Sequence, residues 1–266
     1  MPLQDYHTHT NISFDSDCPL ETLIESRRTA GIDYMAVTDH ADFSADDPEI
    51  NRLDNFLTQF SEQQRFLETQ KGNGIDIAFG IEIGQPVFCP ENASELISAL
   101  PFDVVLASQH EVPHKEDFYF VDFTGGKNLL LLDEYFNLLC DVIAWGDFDV
   151  LAHMTYPFRQ MYRQGLQVDE TRWSDAVKDV LKLVIKANKA LEINLSPVPE
   201  GFEPMPTKKI LAAYKDLGGK LITIGTDDHK AQYADHCRVG AELAKSLGFE
   251  SFTVYHKREP HQVRFD

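Results

Sequence analysis

Six of the ten histidines in this 266-residue chain fall beside other residue types that bind metals. His7 and His9 stand two apart, with Asp15 and Asp17 close behind. Asp39 precedes His40, Glu82 sits in the run GIEIG, and His110 closes Ser108-Gln109-His110. His153 closes DVLAH, and Asp227-Asp228-His229 comes late. Imidazole nitrogens and carboxylate oxygens without thiolates suit zinc, manganese or iron. Such ions acidify water and neutralise developing negative charge, which is hydrolytic chemistry. Each piece alone is weak: a lone His-x-His is more often incidental, and Glu82 alone could be an ordinary strand-end carboxylate.

Their weight comes from the elements that must position them. Short apolar runs at 3–7, 33–38, 75–82, 103–108, 149–153, 190–195 and 220–226 suit parallel strands buried on both faces. Helical patterns lie between them, and the first is opened by Pro19 and closed by Gly31. Strand alternating with helix implies βαβ units. Seven strands in this length predict a distorted (β/α)7 barrel of TIM-like form, one domain over residues 1–266, in preference to a doubly wound open sheet. All six histidines then end strands, at the rim where barrel enzymes build their sites. On a strand, residues two apart share a face, so His7 and His9 can reach one ion. Inward His, Asp and Glu at six strand ends would be a heavy burden of unsatisfied groups without a metal.

Bulk properties narrow the partners. Lys and Arg total 24 against 43 Asp and Glu, a formal charge of -19. That argues against a broad nucleic-acid or anionic-membrane surface, but not against a small anionic substrate met by bound cations. Cys18, Cys89, Cys140 and Cys237 lie far apart and suggest neither disulfides nor a structural zinc site. With no signal-like or spanning segment, a cytoplasmic protein is the expectation.

HTHT with S-x-D, then TDH, a mid-chain Glu, SQH, AH and TDDH resemble in order the metal motifs of the polymerase-and-histidinol-phosphatase (PHP) family. The segments FDVVLASQHEV, DVLAHMTYPFR, LEINLS and LGGKLITIGTDDH are most similar to its histidinol-phosphate phosphatase branch. The resemblance implies three divalent ions, zinc, manganese or iron, at the C-terminal ends of the strands. His7, His9, Glu82 and Asp227 would hold the first. Glu82 would bridge to a second, held also by His110 and His153. Asp15, His40 and His229 would hold the third, with Asp17 the competitor of Asp15. Such a set leaves about three positive charges for a phosphate dianion. It implies a phosphomonoesterase acting on L-histidinol phosphate, in histidine biosynthesis. Glu82 and Asp227 would organise the chemistry.

Arg159, six residues after His153, would add a bidentate phosphate contact, or else be a surface arginine. The aromatic insertion QHEVPHKEDFYFVDFTGGK is a candidate substrate loop. From it His114 and Phe118 would face substrate, although solvent for one and packing for the other are the plainer readings. His236, His256 and His261 are read as surface residues of helical or tail segments. In one respect the chain departs from the branch: no Lys or Arg follows EINLS, where SPVPEGFEP stands. The alternatives are a related phosphatase or phosphodiesterase acting on a nucleotide or other small phosphoester, an amidohydrolase-type deaminase, and a metal-stabilised scaffold. The deaminase expects eight strands and a lone late aspartate.

Overall fold

The computed structural model describes residues 1–70 and 72–266. In chain order the elements are β1 (Gln4–Asp5), α1 (Leu20–Thr29), β2 (Tyr34–Val37), β3 (His40–Asp42), α2 (Asp54–Gln70) and β4 (Asp76–Gly84). They continue with α3 (Pro90–Ala99), β5 (Val104–Ser108), α4 (Leu130–Trp145), β6 (Val150–Leu151), α5 (Tyr156–Arg163) and α6 (Ser174–Lys186). The last are β7 (Ala190–Asn194), α7 (Lys208–Asp216), β8 (Ile222–Gly225), α8 (His236–Ser246), β9 (Ser251–His256) and β10 (Glu259–Arg264).

The strands run parallel in the order β1-β2-β4-β5-β6-β7-β8, and β3 pairs with the upper half of β4. Hydrogen bonds then join the first strand region to the last: Tyr6 N–H to Ile224 O at 2.8 Å, Asp227 N–H to His7 O at 2.8 Å and His9 N–H to Asp228 O at 3.1 Å. The sheet is therefore a nearly closed, TIM-like barrel of seven strands with helices outside. All seven expected strands are present, several shortened because only their central residues pair.

The expected helices also form, for the reasons their patterns give. In α6, Val177, Val180, Leu181 and Val184 repeat at helical spacing and are buried. Each contributes about 1.5–3 kcal/mol of burial, and Leu181→Ala would cost about 2–5 kcal/mol.

Besides the short strand β3, two features escaped the sequence reading. One is α5, a short helix with Pro157 in its first turn, directly after His153. The other is the antiparallel hairpin β9–β10, where an irregular tail was expected. Its turn is Lys257-Arg258, both with positive φ, as a two-residue hairpin turn requires. The hairpin covers the barrel end opposite the histidines. Tyr255 N–H donates to Tyr6 Oη at 2.9 Å, and Tyr255 Oη donates to Asp149 O at 3.2 Å. His256 and His261 therefore belong to strands rather than to a loose tail.

Candidate metal centre

Register brings the ligand types together. Parallel pairing sets His40 of β3 opposite Glu82 of β4. Glu82 is fully buried and stands at the middle of the cluster. Its Oε2 lies 2.9 Å from His7 Nε2, 3.2 Å from His40 Nδ1 and 3.5 Å from His9 Nε2. Its Oε1 faces the other way, 2.8 Å from His153 Nε2 and 3.4 Å from His110 Nε2. Asp227 Oδ1 lies 3.3 Å from His9 Nε2 and 3.8 Å from His7 Nε2. Asp15 reaches the cluster from the loop, with its oxygens 3.1 Å from His229 Nε2 and 3.9 Å from His40 Nε2. Asp17 is exposed.

Four of these imidazoles are fixed from behind. His7 Nδ1 lies 2.7 Å from Glu192 Oε1, and His9 Nδ1 lies 3.0 Å from Ser13 Oγ. His110 Nδ1 lies 3.0 Å from Asp42 Oδ2, and His229 Nδ1 lies 3.0 Å from the Asp227 carbonyl. Each acceptor takes Nδ1–H and leaves an Nε2 lone pair on the cluster side. The Ser13 hydroxyl passes its own proton to Asp39 at 2.6 Å, so Asp39 orders the His-x-His loop rather than joining the cluster.

Close backbone approaches make room for this arrangement. A Cβ on Gly225 would lie 2.4 Å from His7 Cβ and 2.7 Å from Glu192 Oε1. One on Gly84 would lie 2.2 Å from Asp42 Oδ1. His153 and Asp227, at φ 21° and 55°, turn out of their strands in a backbone region that costs ordinary residues about 1–3 kcal/mol. The local strain is borne where side chains must be re-aimed.

The electrostatics are those of a charge cluster in a dry place. Burial, with His229 and His40 alongside, pushes His9 down to about 4. Burial would also lower His40, but Glu82 and Asp42 outweigh it and hold the group up at about 9. Burial alone would raise Glu82, whereas His7 and His40 keep it well below the usual carboxylate range. His9 Nε2, His40 Nδ1 and Asp42 Oδ1 are buried without a hydrogen-bond partner. Such orphaned groups are costly unless a cation takes them. Potential ligand atoms of His7, His9 and Glu82 lie within 4.8 Å of one another, as do those of Glu82, His110 and His153, and those of His9, His40 and His229. The donor set fits divalent metals.

Above the cluster opens a cavity of about 470 Å³. Arg159 and Arg163 of α5 line it with Phe14, Tyr119, Phe120 and Tyr156. Arg159 thus reaches the cavity as expected, but two expected substrate contacts do not. Phe118 is 1% exposed and packs against Phe123 and Tyr135, anchoring the insertion. Its neighbours Tyr119 and Phe120 turn outward and take the position expected of it. His114 is exposed, lies outside the cavity lining and pairs with Asp46 at 2.5 Å.

Sequence reading also missed Asp42 and Glu192, the carboxylates behind His110 and His7. Glu192 carried a faint signal. It stands two residues before Asn194 in EIN, and on a strand both point to one face.

Fold and site together define a TIM-like barrel metalloprotein with a histidine-carboxylate cluster on its C-terminal rim. Residues 5–196 match the PHP domain, and the chain belongs to that family. It is 26% identical over 260 residues to a probable histidinol-phosphatase of Thermotoga maritima, covering 96% of each chain. It is 27% identical over 255 residues to a histidinol-phosphatase of Lactococcus lactis, covering 94% of this chain and 93% of the relative. The fold is similar to the crystal structure of the Lactococcus lactis histidinol phosphate phosphatase with zinc, L-histidinol and phosphate. That comparison gives a TM-score of 0.78 at 24% identity over 97% of this chain and 98% of the other. A putative histidinol phosphatase of Listeria monocytogenes gives 0.72 at 18% identity over 86% and 96%.

Proposed function

We propose that this chain is a metal-dependent phosphomonoesterase that hydrolyses L-histidinol phosphate to L-histidinol and phosphate. The observation that carries the metal-dependent chemistry is the set of four imidazoles held through Nδ1, with Nε2 of His7, His9 and His110 turned toward Glu82 and that of His229 toward Asp15. The substrate is proposed from the named activity of relatives that align over nearly the whole chain. A single barrel domain carries the activity.

Three divalent ions are proposed, zinc, manganese or iron. His7, His9, Glu82 and Asp227 hold one, and Glu82, His110 and His153 another. Asp15, His40 and His229 hold the third. Bound there, the ions supply positive charge for a phosphate dianion and acidify water for attack on phosphorus. The chain's own residues bind and orient. Arg159 offers guanidinium donors to phosphate oxygens. Tyr156 meets the His110 ring edge-on and the His153 ring at a tilt, both at 5.4 Å, and donates its hydroxyl to Asp117 at 2.9 Å, which fixes that wall. Tyr119 and Phe120, 58% and 66% exposed, give a flat leaving group something to pack on.

The same wall favours a second reading, a phosphatase for a nucleotide or another ring-bearing phosphoester. A phosphate-release panel separates the two after metal analysis of the purified protein. L-histidinol phosphate is expected to exceed p-nitrophenyl phosphate and nucleoside monophosphates in kcat/KM by roughly tenfold or more. Equal efficiency across the panel would remove the substrate assignment. Full activity in metal-free protein would remove the mechanism.

A further inference from the structure

We infer that Arg163 is a second anion-binding residue of the metal-centre cavity, held in place together with Arg159 by Glu200. Arg159 and Arg163 are four residues apart on α5 and so share one face of the helix. Both line the cavity that also exposes His40, His153, Asp227 and His229. The loop between β7 and α7 holds no Lys or Arg; instead it brings Glu200 up behind the two arginines, outside the cavity lining.

One carboxylate holds both guanidiniums. Glu200 Oε1 accepts from Arg159 Nη2 at 2.8 Å and from Arg163 Nη2 at 2.5 Å. Its Oε2 accepts from Arg163 Nε at 2.7 Å. The Ser196 carbonyl takes a further bond from Arg159 Nη2 at 3.3 Å, and Gln160 takes one from Arg163 Nη1, also at 3.3 Å. Two positive groups against one negative leave a net positive charge beside the metal cluster. Arg159 Nε is buried with no partner, a donor without an acceptor at the cavity wall. Arg163 is braced on its other side by the Tyr119 ring, 5.7 Å from its guanidinium carbon. Guanidiniums in fixed orientation suit the tetrahedral oxygens of a phosphoryl group. Glu200 is therefore a positioning residue, and Arg163 touches the anion. Calling that anion the substrate's phosphoryl group rests on the phosphatase reading above.

The test measures the dissociation constant of inorganic phosphate for the metal-loaded protein by calorimetry, in wild type, Arg163→Gln, Arg163→Lys and Glu200→Gln. Arg163→Gln is expected to weaken phosphate about three- to tenfold, with Arg163→Lys in between, while metal per chain is unchanged. Glu200→Gln is expected to weaken it about two- to fivefold, the range of a partly exposed ion pair. If Arg163→Gln loses metal or fold, Arg163→Lys carries the comparison. Unchanged phosphate affinity in the Arg163 variants, or no phosphate binding by wild type, overturns the proposal. Tighter phosphate binding in Glu200→Gln would make Glu200 a competitor and overturn its positioning role. Phosphate binding needs no turnover. A protein that binds phosphate through Arg163 but hydrolyses no monoester would therefore refute the phosphatase reading alone.

Discussion

Glu192 and Glu82 hold opposite nitrogens of one imidazole: His7 gives Nδ1 to Glu192 at 2.7 Å and faces Glu82 with Nε2 at 2.9 Å. Glu192 also accepts from the His153 backbone N–H at 2.7 Å, so one buried carboxylate braces two strand ends. A carboxylate behind a metal-binding histidine fixes its tautomer and raises its basicity. Glu192→Gln is expected to lower metal affinity about 10- to 100-fold, read by competition against a chromophoric chelator. Unaltered affinity would mean that His7 needs no support from behind.

Glu82→Gln should act on turnover. Glu82 presents one oxygen to His7, His9 and His40 and the other to His110 and His153. Its loss removes the carboxylate that faces Nε2 of His7 and His9 with one oxygen and Nε2 of His110 and His153 with the other. The expectation is a fall in kcat on the order of a hundredfold or more, with a far smaller rise in KM. A variant with near-wild-type kcat would place the centre of the site elsewhere.

Arg159→Ala should act on binding. A guanidinium touching phosphate oxygens in both ground and transition states contributes uniformly, so its removal raises KM, by about tenfold, more than it lowers kcat. Metal content per chain is expected to stay constant. Unchanged steady-state constants would return Arg159 to a purely structural partner of Glu200.

Metal uptake by the stripped protein should release protons, in an amount that depends on pH. With no ion bound His9 sits near 4 and is already neutral at pH 7, whereas His40 sits near 9 and is protonated. Ligands bind metal in the deprotonated form, so His40 must give up its proton. Apparent affinity is expected to rise with pH and the His40 share of proton release to vanish above about 9. Against burial, their carboxylate neighbours hold His7 and His110 well above the usual histidine range, so both add to the release. Calorimetry in buffers of different ionisation enthalpy reads the release directly. A count that is flat from pH 6 to 10 would contradict this account.

What the chain discloses before folding depends on how local each signal is. Strand-end histidines are local: apolar runs place His7, His110 and His153 without knowledge of any partner. Arg159 was within reach because it follows His153 closely, although the helix presenting it went unseen. Asp42 and Glu192 were not, since their importance lies in contacts 68 and 185 residues away in sequence. Phe118 misled for a related reason. In a run of three aromatics, which ring turns inward is decided by Phe123 and Tyr135, and periodicity in a loop carries no such information. The final hairpin had a usable signal, an alternating run up to a two-residue turn, but it lay beyond the seven strands the barrel needed.

The seam of the barrel passes through the ligand motifs themselves. The amide of His9 and the carbonyl of His7 bond to Asp228 and Asp227, while Arg27 beneath ties Asp228 to Asp5, with both contacts at 2.9 Å. Breathing along that joint and escape of an ion would disturb the same bonds. Amide exchange at His9 and Asp227 therefore reports the integrity of the cylinder and the occupancy of its rim in one measurement.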